Sequence, residues 1–424
     1  MLEGYKITTD SRDCPQGSVF LALRGKNFDG NRFAATALNK GCSYAVIDDP
    51  KYAVNGDGRY LVVKNCLDTY KTLAKQHRRK FNIPVLAITG TNGKTTTKEL
   101  VAAVLEKKYK VLKTEGNFNN DVGVPKTLFR LSDEHEIAVV EMGASHPGDI
   151  KTLVETTEPQ FGLITNVGRA HLQGFGSFDG VIQTKGELYD YLRKHKGKAF
   201  INTDDRILMS IAGEMSLIRY GHNEEINGET VACDPFLRLR WRKGSMGEWH
   251  PVSTHLIGSY NLYNILAAIC IGDYFHIEPG DIDAAICNYI PSDNRSQLTV
   301  TESNSLIVDA YNANPTSMEA ALKNFRDIKV DGKMTILGQM GELGNDSDAE
   351  HDKVIRLLEE LGLDDTWLVG ENFIEAAKRV GCDFRLFRDV EDVKVAIANN
   401  KPQGKYILIK GSNSVKLSQI KDLL

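Results

Sequence analysis

Seven cysteines are scattered through the 424 residues, an odd number with no Cys-x-x-Cys pair. That excludes a disulfide framework and fits reduced thiols in a cytosol. No run approaches eighteen apolar residues, so no membrane-crossing helix is expected. The opening Met1-Leu2-Glu3-Gly4-Tyr5-Lys6 lacks the apolar core of a signal peptide. Positive charge is not in surplus: 52 Lys and Arg against 56 Asp and Glu leave a net charge of −4. A general nucleic-acid binder carries a basic footprint, so that class is set aside. No Gly-x-Gly-x-x-Gly follows a strand-like run in the C-terminal third, which removes a dinucleotide site there. What remains is an ordinary globular composition, 42% hydrophobic and 25% charged, long enough for two or three domains. A cytoplasmic location follows as the expectation.

The most informative stretch is Thr89-Gly90-Thr91-Asn92-Gly93-Lys94-Thr95-Thr96-Thr97. The apolar run from Ile83 to Ile88 before it reads as a buried strand. After it, Leu100, Val101, Val104 and Leu105 fall at helical spacing. A Gly-rich turn at a helix N-terminus offers free backbone N–H groups and the helix dipole to phosphate. Gly90 and Gly93 let the backbone approach the oxygens, with Thr91, Asn92 and Thr96 completing the loop. Lys94 is placed to reach the β- and γ-phosphates and the Thr95 hydroxyl to hold Mg²⁺. The standard P-loop has a glycine where Ile88 stands, so this is a shorter form.

Around this loop the chain alternates strands and helices, an α/β pattern. Residues 1–82 read as a small α/β unit, with a strand over Gly17–Gly25, further strands at Tyr44–Ile47 and Tyr60–Val63, and a helix over Leu67–Arg79. Its basic end, His77-Arg78-Arg79-Lys80, reads as solvated. Residues 83–294 follow. There Asn117, Asn119 and Asn120 are either a bland loop or contacts to γ-phosphate or a substrate carboxylate. Glu136 to Glu141 is a strand ending in an acid, and ligands sit at the carboxyl ends of parallel strands, so Glu141 is a Mg²⁺ candidate facing Thr95. Asp149 reads as an N-cap. His171, on a Gly-rich loop after a strand, is a metal or substrate candidate, whereas Lys185 reads simply as a helix lysine. Asn261 and Asn264 share a helix face. The segment from about Arg219 to His255 reads as strands with hairpins and carries no evident chemistry. In residues 295–424 strands and helices alternate as in a Rossmann-like unit, with Asp309 at a strand end as a ribose or phosphate-water candidate and Pro315 opening a helix.

The shortened loop, Asn166-Val167-Gly168 through His171, Gly174-Phe175-Gly176-Ser177, Lys185-Gly186-Glu187, Asp309 to Pro315 and Met340 to Gly344 occur in one order along nearly the whole chain. Together they resemble the Mur ligase family, in particular its MurF type. The resemblance implies three domains: a small N-terminal one for the uridine diphosphate end of the substrate, a central P-loop ATPase with a mainly parallel sheet, and a C-terminal Rossmann-like domain that closes on ATP and binds the amino substrate. It implies ATP-dependent ligation of D-alanyl-D-alanine to UDP-N-acetylmuramoyl-tripeptide through an acyl phosphate. It implies two Mg²⁺ ions and a CO₂-derived carbamate on Lys185, with His171 and Lys185 at the second ion. Asn261, Asn264 and Arg295 would touch the nucleotide. Ser11, Arg12, Arg24, Asp29, Asn312 and Asn314 would touch substrate. These small molecules are the implied partners, and a monomer is expected. A sibling Mur ligase, a folylpolyglutamate synthase and a nucleotide-switched binding protein are the competing readings.

Overall fold

The computed structural model describes residues 4–25, 27–291 and 297–424. The centre is a nine-stranded sheet. From one edge its strands run His250–Ile257, Phe236–Lys243, Ile226–Cys233, Ser216–Tyr220, Lys198–Asn202, Phe161–Ile164, Val85–Thr89, Ile137–Glu141 and Val111–Lys113. All the pairings from Ile226–Cys233 to Val111–Lys113 are parallel, and the two pairings at the other edge are antiparallel.

Val85–Thr89 sits near the middle and is buried throughout. Successive side chains of a strand point to opposite faces. Val85 and Ala87 accordingly join Val140, Ile164, Leu153 and Leu188 in one core. Leu86 and Ile88 join Val139, Leu163, Leu100 and Ile265 in the other. Parallel strands read as continuous apolar runs because helices cover both faces.

The helix Leu262–Tyr274 is buried on nearly every side, from Asn264 to Gly272 without a break. It packs between Lys94–Leu105 and the strands Ile226–Cys233 and Phe236–Lys243. The segment 219–255 therefore has a structural use: its strands extend the sheet and cover this helix.

The N-terminal unit is a four-stranded parallel sheet in the order Ile7–Thr8, Val19–Leu21, Tyr44–Ile47, Tyr60–Val62. The strand expected over Gly17–Gly25 stops at Leu21. Arg24–Gly25 turns away to pair with Phe28–Asp29, and Gly30 packs so close to the Leu23 carbonyl that any Cβ there would lie 2.5 Å from it. The C-terminal unit is a six-stranded sheet ordered Gln297–Val300, Asn304–Asp309, Lys405–Lys410, Lys333–Gly338, Thr366–Val369, Arg385–Phe387, parallel except at the first pairing. Among the described residues no helix is long and apolar enough to cross a membrane.

Within the basic run at the end of Cys66–Arg78, Arg79 and Lys80 are exposed as expected, but Arg78 is not solvated. Arg78 is 5% exposed and donates to the carbonyls of Thr157, Phe81 and Ile83 and to Gln160 Oε1, and Arg79 pairs with Glu158 at 2.6 Å. Helix dipole favours cations at that end, but here the guanidinium fork also reaches Thr157, Ile83 and Gln160 of the next unit and ties the helix to the central sheet. We expect Arg78→Met to lower stability by about 3 kcal/mol, because it strips buried carbonyls of a charged donor. An unchanged midpoint of the first thermal transition would show the clasp to be inert.

Candidate active site

The loop after Val85–Thr89 takes its shape from two left-handed glycines, Gly90 at φ +143° and Gly93 at φ +78°. A Cβ on Gly90 would lie 1.9 Å from Thr165 Oγ1, so position 90 admits only glycine. Gly93 is the N-cap of Lys94–Leu105, and a Cβ there would meet Asn264 Oδ1 at 2.6 Å. The segment after Phe161–Ile164 braces the loop. Thr91 N donates to Asn166 O at 3.0 Å and Asn92 N to Asn166 Oδ1 at 3.0 Å, while Asn92 O accepts from Thr165 Oγ1 at 2.6 Å and Asn166 Nδ2 at 3.0 Å. Lys94 Nζ donates to Gly90 O and Thr91 O at 2.8 and 3.0 Å, so its ammonium lies over the loop.

The loop forms one wall of a cleft of about 700 Å³. Thr95, Glu141, Asn119, Asn120, His171, Asn261 and Asn264 of the central unit line it together with Asp309 and Asn312 of the C-terminal unit. Glu141 is 1% exposed. Its Oε1 accepts from Asn119 Nδ2 at 2.9 Å, and its Oε2 is buried without a hydrogen-bond partner. A buried carboxylate oxygen without a donor is costly in a finished fold. Beside the Thr95 hydroxyl in the same cleft it suits Mg²⁺, which takes oxygen ligands. Among the described residues no three His, Cys, Asp or Glu side chains converge as a ready-made metal site. An ion here would draw its remaining ligands from phosphate, hydroxyl or water.

Behind the cleft lies Lys185, 2% exposed on the helix Phe178–Lys194. Among the described residues no carboxylate pairs with it. Burial pushes its amine down to about 7, assisted by the charge of Lys94. His171 is pulled below the usual imidazole range by burial, against the opposing charge of Glu342. Its Nδ1 lies 2.5 Å from Glu342 Oε2, an ion-pair contact that comes from the C-terminal unit. Glu187 locks this region. Its carboxylate accepts from the N–H groups of Gly148 and Lys151 at 2.7 Å each and so caps Asp149–Thr157 from a neighbouring helix. Asp149 is therefore not the N-cap; Gly148 holds that place, and the Asp149 carboxylate accepts from Ser145 N and His146 N.

Asn261 and Asn264 spend their amides locally. Asn264 donates to Asn261 Oδ1 at 2.8 Å and accepts from Thr97 Oγ1 at 3.1 Å, and Asn261 donates to Ile257 O. Asn314 does not line the cleft. It caps Pro315–Asp327 through a capping box and exchanges amide contacts with Asn92 at 2.8 and 3.4 Å, joining the central and C-terminal units. Asn117 is exposed and outside the cleft; Ser11, Arg12, Arg24 and Asp29 of the N-terminal unit also lie outside it, Arg12 and Arg24 exposed and Ser11 and Asp29 half-buried. Arg12 pairs with Asp10 and Arg24 with Asp48, both at 2.8 Å. Arg295 lies outside the described residues.

Two residues at the site escaped the sequence reading. Lys410, 1% exposed, pairs with Asp309 at 2.5 Å on the adjacent strand. A charge ending the apolar run Tyr406–Ile409 was the available signal, the one that singled out Glu141. Lys98 is fully buried, donates to Thr114 O at 2.7 Å and lies 3.9 Å from Glu141 Oε2. Its helical position gave no such signal.

The chain matches three family descriptions: Mur ligase family, catalytic domain, over residues 4–108; Mur ligase middle domain over 88–272; and Mur ligase, glutamate ligase domain, over 294–413. It is 33% identical to the UDP-N-acetylmuramoyl-tripeptide–D-alanyl-D-alanine ligase of Escherichia coli, covering 98% of this chain and 92% of that one. It is 32% identical to the Bacillus subtilis enzyme of the same name, covering 99% and 93%. The crystal structure of MurF from Acinetobacter baumannii superposes with a TM-score of 0.89 at 30% identity, covering 98% of this chain and 92% of that one. MurF from Thermotoga maritima in complex with ADP shares the fold, with a TM-score of 0.88 at 24% identity over 99% and 96%. The chain belongs to the Mur ligase family and, within it, to the MurF type.

Proposed function

We propose that this chain joins D-alanyl-D-alanine to UDP-N-acetylmuramoyl-tripeptide at the expense of ATP, the cytoplasmic step that completes the pentapeptide precursor of peptidoglycan. The observation that carries the reading is the single cleft where a phosphate loop, a buried acid with an orphaned oxygen and the Asp309–Lys410 pair meet, in a chain alike from end to end to enzymes of that name.

A carboxylate is a poor electrophile. The γ-phosphoryl group passes from ATP to an oxygen of the tripeptide's terminal carboxylate, and ADP leaves. The dipeptide amine then attacks the acyl carbon, the bond to the phosphorylated oxygen breaks, phosphate departs, and the amine gives up a proton. Phosphoryl transfer needs positioning and charge neutralisation more than covalent help. The loop N–H groups and Lys94 supply both for the triphosphate. Asp309, held by Lys410, meets the nucleotide from the opposite wall. Thr95 and Glu141 would hold one Mg²⁺, and His171 with a carbamate on Lys185 the other. Bound there, the ions neutralise phosphate and acyl oxygens. Contacts between the central and C-terminal units keep water from the acyl phosphate. The N-terminal unit would hold the uridine diphosphate end through Ser11, Arg12, Arg24 and Asp29. Asn119, Asn120 and Asn312 face the peptide portion. The enzyme is proposed to act as a monomer.

Incubated with ATP and the tripeptide nucleotide, the protein is expected to release phosphate with D-alanyl-D-alanine and not with D-Glu, L-Ala or diaminopimelate. Equal turnover with a single amino acid, or with L-Glu and folate, would assign it to a sibling activity. Phosphate release independent of any peptide carboxylate would make it a nucleotide switch.

The carbamate forms from neutral amine and CO₂ with loss of one proton. Since the Lys185 amine titrates near 7, neutral amine prevails above that pH and fades below it. With ¹³C-bicarbonate, a carbamate resonance is expected at pH 8, declining as the pH falls through about 7 and absent in Lys185→Arg. Lys185→Ala should lower kcat by about 100-fold or more, the scale of losing one group that stabilises developing charge. No resonance at pH 8, with full activity in Lys185→Ala, would remove the carbamate.

A further inference from the structure

The proposed substrate is a long polyanion, with its uridine diphosphate end on the N-terminal unit and its reacting carboxylate at the phosphate loop. Among the described residues one side chain of the N-terminal unit lines the central cleft, and it is a cation, Lys71. It sits on the helix Cys66–Arg78. That helix opens at the carboxyl end of the N-terminal sheet, where Asp48, just past Tyr44–Ile47, accepts from Cys66 N at 3.1 Å. A parallel sheet takes its ligands at that edge. From there the helix leads to the central unit.

The seating of the helix is fixed. Tyr70, Ala74 and Arg78 recur every four residues and share one face. Tyr70 packs on Phe129 with ring centroids 5.3 Å apart, Ala74 is fully buried in the core of the central sheet, and Arg78 makes the clasp described above. Beside this face runs a second row at the same spacing, Lys71, Lys75 and Arg79. Lys75 and Arg79 both meet Glu158 of the central unit, at 3.3 and 2.6 Å. Lys71, one turn earlier, shares the cleft wall with Asn120, Thr152 and Leu153. Among the described residues no acid of the central unit comes within ion-pair distance of it; it meets Asp68 of its own helix at 2.9 Å. The Asp68 side chain is 69% exposed and that of Lys71 20%. An ion pair open to water contributes little, so an incoming oxyanion can draw the ammonium from it at small cost. The other lysines of the cleft are engaged, Lys94 over the phosphate loop and Lys410 with Asp309.

We propose that Lys71 binds an oxyanion of the nucleotide substrate between its uridine and its reacting carboxylate, so that the N-terminal unit grips the substrate inside the cleft as well as at its far end. The oxyanion is the diphosphate or a peptide carboxylate other than the reacting one. Either accepts a charge-assisted hydrogen bond from an ammonium. The proposal rests on the ligase reading above.

Steady-state kinetics of the full chain with ATP, D-alanyl-D-alanine and the tripeptide nucleotide tests it. Lys71→Gln should raise KM for the tripeptide nucleotide about tenfold or more, the scale of one lost hydrogen bond to a charged group. The loss should fall in KM rather than kcat, with KM for ATP and the thermal midpoint unchanged. Lys71→Arg should restore most of the affinity. Lys71→Met keeps the packed stem and stands in should the amide variant fold poorly. UDP as a competitor separates the two oxyanions: about tenfold weaker inhibition of Lys71→Gln identifies the diphosphate, and equal inhibition a peptide carboxylate. An unchanged KM for the tripeptide nucleotide in both uncharged variants, or an equal rise in KM for ATP, would overturn the role of Lys71 and leave the ligase reading intact. A wild type that does not turn over the tripeptide nucleotide would overturn that reading and this inference with it.

Discussion

The carbonyl of Asn92 accepts from Thr165 and Asn166 together, and the cleft depends on that knot. A loop with two left-handed glycines has much freedom to lose on ordering, and left alone it would sample many shapes. The neighbouring strand end removes that freedom before any ligand arrives, which is the preorganisation that electrostatic stabilisation requires. The parallel sheet makes this possible. Phe161–Ile164 and Ile137–Glu141 flank Val85–Thr89 and end at the same edge. One neighbour delivers the brace and the other the acid, so loop, brace and Glu141 hold a fixed register set by backbone hydrogen bonds.

The same loop locates the C-terminal unit. Asn92, whose backbone is fixed by the brace, meets Asn314 through its side chain. Arg169, just past the brace, donates its N–H to Thr316 Oγ1 at 3.0 Å. His171, two residues on, meets Glu342. A ligand bound on the loop therefore lies within a few residues of every one of these contacts. That is the differential interaction by which binding can shift a domain arrangement, and it needs no longer path through the molecule.

Much of this was legible in sequence because it rests on local rules. The turn between a buried strand and a helix, the acid ending Ile137–Glu141, Asp309 at its strand end and Pro315 opening its helix all follow from strand termini and cap chemistry within a dozen residues. What was not legible depends on residues far apart in the chain. Arg78 read as a solvated helix end because two of its partners, Thr157 and Gln160, lie about eighty residues away on another unit. Asp149 read as a cap because the true capping carboxylate, Glu187, comes from a different helix. Asn314 read as a substrate contact because its partner, Asn92, is 222 residues away. Spacing cannot reveal a partner that the fold brings from elsewhere.

Three lysines are buried at or just behind the cleft, and their surroundings separate their roles. Taking an ammonium out of water costs several kcal/mol unless a partner offsets it. Lys98 has Glu99 at 2.8 Å and the Thr114 carbonyl at 2.7 Å. Lys410 has Asp309. Lys410 meets Asp309 directly, and Lys98 lies 3.9 Å from Glu141 Oε2. Lys185 has no paired acid among the described residues, and after burial the largest influence on it is the charge of Lys94, opposed by the charges of Asp149 and Glu187. Such a site does not hold an ammonium well. It favours a neutral amine, and a neutral amine can react with CO₂ to become an anion. Two of the three lysines thus meet a carboxylate within about 3 Å and the third does not, and that difference in surroundings is what separates them.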